Sequence, residues 1–165
     1  ERVLELLKEQ DLPLTEFLAS LQPAGAIYFS MDEDDVERIL AYPETMIGSD
    51  GLPHDTFPHP RLWGAFPRVL GHYSRDRKLF PLETAVHKMT GLSAARFGLK
   101  DRGLIKEGYA ADLVVFDPVS IKDSATFGDP MRPAAGIHQV YVNGVLSWQD
   151  GVTTHARAGQ VLRRA

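Results

Sequence analysis

The sequence has no cysteine among its 165 residues. A disulfide framework is therefore excluded, which suits a protein of a reducing compartment, and we predict a cytoplasmic location. The sequence also lacks any apolar run near the ~20 residues that a helix needs to span a bilayer. No charged segment followed by an apolar one, as in a signal peptide, opens it. These absences predict a soluble protein with no membrane partner.

An excess of positive charge is also missing. The formal net charge is -4 and the isoelectric point is near 5.8. Nucleic acid binding generally requires lysine and arginine clustered on one face, so we predict no nucleic acid partner. Hydrophobic residues make up 44% of the chain and charged residues 24%, as in ordinary globular proteins. A core of normal size is therefore possible.

The first hundred residues have the pattern of an α/β protein. Two short runs, Ala26–Phe29 and Thr45–Ile47, are apolar on both faces, as in buried parallel strands. A helix that Asp32 caps separates them, and this order predicts a right-handed βαβ unit. Val36, Ile39 and Leu40 are predicted to form the buried stripe of this helix. Apolar residues at helical intervals predict further helices over 2–10, 14–18, 66–73 and 82–89.

From about residue 101 the pattern changes to short strands. Strands are predicted at Leu104–Ile105, Leu113–Phe116, Val140–Val142 and Val145–Trp148, and Asn143-Gly144 predicts a tight hairpin turn between the last two. We therefore divide the chain into an α/β part, 1–100, and an all-β part, 101–165. Two strand-like runs are too few for a stable parallel sheet or a barrel, so we expect further strands upstream.

Several polar and aromatic residues have structural explanations. Asp112 and Asp117 stand on either side of an apolar strand and are predicted to serve turns. Trp63, Phe66 and Tyr73 recur at helical spacing and are predicted to be core residues.

The candidate site begins at Asp50, at the end of the second predicted strand. Catalytic groups of parallel α/β folds gather at such strand ends. Gly48 and Gly51 allow a tight backbone path around the carboxylate. Asp before Gly is also common in turns, so a turn-capping role for Asp50 remains an alternative.

The loop after Asp50 is rich in histidine and proline. His54, His59 and Asp55 lie in it, but without the spacing that makes a zinc motif specific. The prolines stiffen the loop and would hold Arg61, whose planar fork suits bidentate binding of a substrate carboxylate. The alternative is that Arg61 pairs with Asp55 or another local acid.

Three segments of this sequence carry a family resemblance: "GSDGLPHD", "HPRLWG" and "MTGLSAARFGL" followed by "RGLIKEGYAADLVVFDP". The sequence resembles the C-terminal part of the N-acyl-D-amino-acid deacylases (D-aminoacylases) of the amidohydrolase superfamily. The resemblance implies the α/β class: the last two strands and helices of a metal-dependent (β/α)8 barrel, joined to a small β-sandwich subdomain. The missing N-terminal part of the same enzyme would be its partner.

The resemblance also implies roles for single residues. Asp50 would be the general acid and base of amide hydrolysis, with a possible contact to a second metal. Arg61 would bind the carboxylate of an N-acyl-D-amino acid, and His54 would be a further substrate-binding residue. The cofactor would be zinc, with its main ligands upstream of this sequence. Two alternatives remain: another amidohydrolase, such as a dihydroorotase or hydantoinase relative, and a non-catalytic β-rich interaction module.

Overall fold

The computed structural model describes residues 5, 7–9, 12–22, 25, 27–55 and 57–163. The chain forms two units, 1–30 and 31–165. In the part that is described, no helix is long and apolar enough to cross a bilayer. The helix predicted over 2–10 lies largely outside the described residues, although Glu5 and residues 7–9 are helical.

Two helices follow the predicted pattern. Helix α1, Leu14–Ser20, begins after Pro13 and buries Phe17, which is 3% exposed. Helix α2, Glu33–Ala41, begins at Asp32, whose side chain accepts a 2.9 Å hydrogen bond from the backbone N–H of Asp34. Three acidic residues occupy the first turn of α2, where the helix dipole favours negative charge.

Neither predicted parallel strand forms in the described residues. Residues 27–29 and 45–47 form no strand, and Ala26 lies outside the described residues. A strand exists through hydrogen bonds to its neighbours, so an apolar run without adjacent strands cannot form one. The N–H of Ile47 instead donates to the carbonyl of Lys88 at 3.2 Å. The predicted βαβ unit therefore does not form in the structure of this chain alone, and the prediction is wrong for it.

The middle of the chain is helical. Helix α3, Arg61–Arg68, continues into a π-helical segment, Val69–Asp76. Pro67 has no backbone N–H and interrupts the normal hydrogen-bond ladder just before the helix widens. Helices α4, Leu82–Met89, and α5, Gly91–Phe97, follow.

The core lies between the π-helical segment, α4 and a loop from the second half of the chain. Ala85 of α4 and Ile121 of the loop are 0% and 1% exposed. Arg75 donates to the carbonyl of Ile121 at 2.7 Å, which ties the loop to the helix. The buried cluster comprises Val69, Leu70, Tyr73, Phe80, Ala85 and Ile121. This core joins residues from both sides of residue 100, and the division into 1–100 and 101–165 remains a prediction.

Some residues predicted to be buried are not. Trp63 is 41%, Phe66 40% and Ile39 53% exposed, whereas Tyr73 is buried as predicted. Helical spacing identifies an apolar stripe, but burial also requires an element packed against it. Within the unit 31–165, other described residues pack over Val69, Leu70 and Tyr73. Trp63 and Phe66 remain half-exposed.

The second half contains one antiparallel sheet of four strands in the order β1-β2-β3-β4. The strands are β1 Leu113–Phe116, β2 Ile137–Val142, β3 Val145–Gln149 and β4 Val152–Thr153. Asn143 and Gly144 have φ values of 47° and 79°, which confirms the predicted hairpin turn. Leu104 and Ile105 form no strand and are 56% and 93% exposed, so that prediction is wrong.

Both aspartates beside β1 serve turns, as predicted. Asp117 accepts hydrogen bonds from the N–H of Val119 at 2.9 Å and the hydroxyl of Ser120 at 2.6 Å. Those bonds lower the pKa of Asp117 from its usual value, the bond from Ser120 most. Asp112 accepts from the N–H of Asn143 at 2.8 Å and pairs with Arg102.

Candidate active site

Asp50 lies on a tightly bent piece of backbone. Its φ is 48°, in the left-handed region that few residues other than glycine occupy and that aspartate tolerates better than most. Gly51 next to it lies directly against helix α3. A Cβ on Gly51 would be 2.7 Å from Cδ1 and 2.9 Å from Cα of Leu62, whereas a Cβ on Gly48 would meet nothing within 4 Å. Gly51 therefore permits the close approach of the loop to α3, and Gly48 is not needed for it.

This close approach places Asp50 beside Arg61, the first residue of α3. Nη2 of Arg61 lies 2.8 Å from Oδ2 of Asp50, and the two side chains are 38% and 81% exposed. Asp50 is thus the local acid with which Arg61 pairs, and Asp55 is not. Nε of Arg61 is buried and has no hydrogen-bond partner within the described chain. The arginine therefore retains a donor that the described residues do not satisfy.

The turn at Asp50 is capped by its neighbour. The hydroxyl of Ser49 accepts a 3.2 Å hydrogen bond from the N–H of Gly51. The carboxylate of Asp50 points to Arg61 and remains mostly exposed. Since Ser49 performs the capping, the turn-capping alternative loses its main support.

His59 supports Arg61, a contact that the sequence analysis did not identify. Its Nδ1 accepts a 3.0 Å hydrogen bond from the backbone N–H of Arg61, at the start of α3. Its ring also packs edge-on against Phe127, at 5.2 Å between centroids. Burial lowers the pKa of His59, Arg61 lowers it further, and Asp50 opposes the shift. A neutral ring keeps Nδ1 available as an acceptor. The predicted helix begins only at residue 66, so no sequence signal placed His59 at a helix start.

His54 and Asp55 are on the exposed side of the same loop. Neither makes a hydrogen bond or an ion pair with the described residues. The structure thus brings Asp50 and Arg61 together and leaves His54 without a contact to either of them. No group of three or more metal-ligating side chains occurs within the described residues.

A cavity lies elsewhere in the molecule. It measures about 730 Å³ and lies between α4 and β1, with a lining that includes Leu82, Val86, Leu113 and Phe116. None of Asp50, His54 and Arg61 lines it. The pair Asp50 and Arg61 lies outside this cavity, and the side chain of Asp50 is open to solvent on the described chain.

Comparison with known proteins identifies the family. The model described as "Amidohydrolase family" matches residues 13–147. The chain belongs to the amidohydrolase family. It is 64% identical over 97% of its length to the D-aminoacylase of Alcaligenes xylosoxydans xylosoxydans, and 52% identical over 96% to the N-acyl-D-aspartate deacylase of the same organism. It spans about a third of each of these amidohydrolases, 33% and 32%.

A solved amidohydrolase structure agrees. The chain superposes with a TM-score of 0.91 and 47% identity on the N-acyl-D-glutamate deacylase of Bordetella bronchiseptica, which was solved with zinc and a phosphonate inhibitor that mimics the tetrahedral intermediate. The match covers 98% of this chain and 34% of that one. The resemblance to the N-acyl-D-amino-acid deacylases is thereby confirmed. Zinc fits this family, but the described residues supply no complete ligand set, and Asp50 offers at most one carboxylate.

Proposed function

We propose that this chain is the C-terminal part of a zinc-dependent N-acyl-D-amino-acid deacylase, with residues 1–100 completing a (β/α)8 barrel and residues 101–165 belonging to a small β-sandwich subdomain. The observation that carries the proposal is the contact of Asp50 with Arg61 at 2.8 Å. An exposed carboxylate beside an arginine combines a proton acceptor with a carboxylate-binding fork. The zinc ligands are expected upstream of this chain, in the remainder of the enzyme.

In this proposal Asp50 moves the proton. Its carboxylate accepts a proton from the water that attacks the amide carbonyl, and then gives it to the departing nitrogen, so that the C–N bond breaks and a D-amino acid leaves. The 81% exposure of the side chain leaves it accessible to water and substrate. The left-handed backbone at Asp50 fits a catalytic position, since strained conformations cluster at functional sites.

Arg61 binds the carboxylate of the substrate. The guanidinium has five N–H donors; Nη2 forms an ion pair with Asp50, and Nε is buried without a partner among the described residues. A carboxylate that binds to the remaining Nη donors would thus be held next to Asp50. His54, exposed on the same loop, is a further candidate to contact the substrate.

The alternatives fit less well. The segments that carry Asp50 and Arg61 favour a deacylase over a dihydroorotase or hydantoinase relative, because they are the most specific part of the resemblance. A non-catalytic module does not account for the high identity of this chain to two deacylases. The partners proposed are an N-acyl-D-amino acid and the remainder of the enzyme, and a cytoplasmic location remains a prediction from the lack of cysteine.

The proposal is tested by comparing the complete enzyme with this chain alone. The complete enzyme should hydrolyse N-acetyl-D-amino acids and not their L forms. It should lose activity with a chelator and regain it with zinc. The isolated chain should be inactive, because the described residues hold no metal-binding cluster. Zinc-dependent turnover by the isolated chain, or none by the complete enzyme, would contradict the proposal.

A pair of glycine variants tests the geometry of the site. In the complete enzyme, Gly51→Ala should lower kcat/KM about 10-fold or more, because its Cβ would lie 2.9 Å from the backbone of Leu62 and push Asp50 away from Arg61. Gly48→Ala is the matched control and should stay within about twofold of wild type, since its Cβ meets nothing within 4 Å. Equal effects of the two substitutions on kcat/KM would show that contact with α3 does not position Asp50.

A further inference from the structure

Lys88 is a buried lysine on helix α4. Its side chain faces the core and is 1% exposed, close to Ala85 and the ring of Phe80, whose centroid lies 5.8 Å from Nζ. Burying an ammonium is costly unless its donors are satisfied, and burial lowers the pKa of Lys88 although Glu44 opposes the shift. A methionine could fill the same space without that cost. The interactions of the ammonium should therefore explain the lysine.

Both hydrogen bonds of the Lys88 ammonium lead toward the candidate active site. Its ammonium donates to the carbonyl of Tyr42 at 2.5 Å and to that of Thr45 at 3.4 Å. Its own carbonyl accepts the N–H of Ile47 at 3.2 Å. One residue thus fixes the backbone at three points between residues 42 and 47. Three residues later that backbone reaches Asp50.

Besides Lys88, two residues hold the same stretch: the N–H of Thr45 donates to the carbonyl of Tyr42 at 3.1 Å, and Ile47 packs against the core. Residues 45–50 form no strand, so no ladder of backbone hydrogen bonds fixes their path within the described chain. At the far end Gly51 touches Leu62. The position of Asp50 relative to Arg61 is therefore set between the backbone at 42–47, which Lys88 joins to α4, and helix α3 after it.

We propose that Lys88 is a positioning residue that fixes the backbone leading to Asp50, and this inference rests on the function proposed above. Lys88 touches neither Asp50 nor Arg61 and acts through the carbonyls of Tyr42 and Thr45. Loss of its ammonium would remove one hydrogen bond from each of these carbonyls, while the N–H of Thr45 would still donate to Tyr42 and the N–H of Ile47 would remain bonded. The loop would keep its general path and lose the precision that proton transfer needs.

The test is a double-mutant cycle in the complete enzyme. Lys88→Met should lower kcat about 10-fold or more while the thermal midpoint stays near wild type. In an Asp50→Asn background the same substitution should change kcat less than about twofold, because the group that it positions is already gone. Lys88→Arg keeps charged donors and should recover most of the activity. A purely structural lysine predicts the same loss of kcat in both backgrounds, and that result would overturn the proposal.

A second measurement does not depend on activity. Hydrogen exchange of the bonded amides of Thr45 and Ile47 should become faster in Lys88→Met, and unchanged exchange would also overturn the proposal. The matched control is Arg96→Met, which removes an exposed ion pair with Glu44 on the same stretch and should leave kcat within about twofold.

Two further results have definite meanings. If Lys88→Met does not fold, Lys88→Gln replaces it in the cycle, and failure of both to fold would make Lys88 a stability residue and overturn the proposal. A wild-type enzyme without deacylase turnover would refute the proposed function, whereas normal turnover with additive effects would refute only the role of Lys88.

Discussion

Asp50→Asn in the complete enzyme is expected to lower kcat by about 10²-fold or more, the scale of lost general acid and base catalysis. Asparagine has nearly the shape of aspartate and tolerates the left-handed φ of 48°, so the backbone should be kept. It cannot accept the proton of the attacking water. The lost ion pair with Arg61 is mostly exposed, and such pairs contribute only about 0–1 kcal/mol to stability. The thermal midpoint should thus change little.

Measuring kcat, bound zinc and thermal midpoint on one sample separates the possible roles of Asp50. A large loss of rate with zinc retained supports proton transfer. A loss of rate that follows loss of zinc would make Asp50 chiefly a metal ligand, and a near-normal rate would remove it from the mechanism. Asp55→Asn is the matched control, because Asp55 is exposed on the same loop and has no ion pair with the described residues.

Local patterns in the sequence predicted the parts of the fold that local forces decide. The cap at Asp32 and the hairpin at Asn143-Gly144 depend on a few adjacent residues, and both are present. The apolar runs at 27–29 and 45–47 would need neighbouring strands to become strands themselves. Trp63 and Phe66 need a covering element. Periodicity in the sequence predicts which residues share an apolar face, but it does not predict which element packs against that face.

The sequence predicted the candidate residues of the site but not the contacts that position them. Asp50 and Arg61 were identified from their loop and from the family resemblance, and the structure brings them to 2.8 Å. Lys88 was not recognised, since a lysine among apolar helix positions looks like a solvated charge until its burial is known. The contact between Gly51 and Leu62 spans eleven positions and depends on the path of the loop, which no local signal specifies.

Arg61→Lys is expected to raise KM for N-acyl-D-amino acids about 10-fold or more, with a smaller effect on kcat. Lysine keeps the charge but replaces a planar fork by a single ammonium, and a hydrogen bond between charged groups contributes about 1.5–3 kcal/mol. Each 1.4 kcal/mol of lost binding corresponds to about tenfold in affinity. The pairing with Asp50 is within reach of an ammonium, which is why the rate of the chemical step should suffer less.

Two controls show whether the loss concerns the substrate carboxylate. Arg68→Lys changes an arginine at the other end of α3, which pairs with Asp123 at 3.3 Å, and should leave KM unchanged. An N-acyl amine without a carboxylate should be hydrolysed equally poorly by wild type and by Arg61→Lys, because neither enzyme has a carboxylate to bind. An unchanged KM for the amino acid substrate would remove Arg61 from substrate binding and leave it only as the partner of Asp50. If KM rises equally for both substrates, Arg61 instead shapes the loop, since a carboxylate anchor has no interaction with the amine.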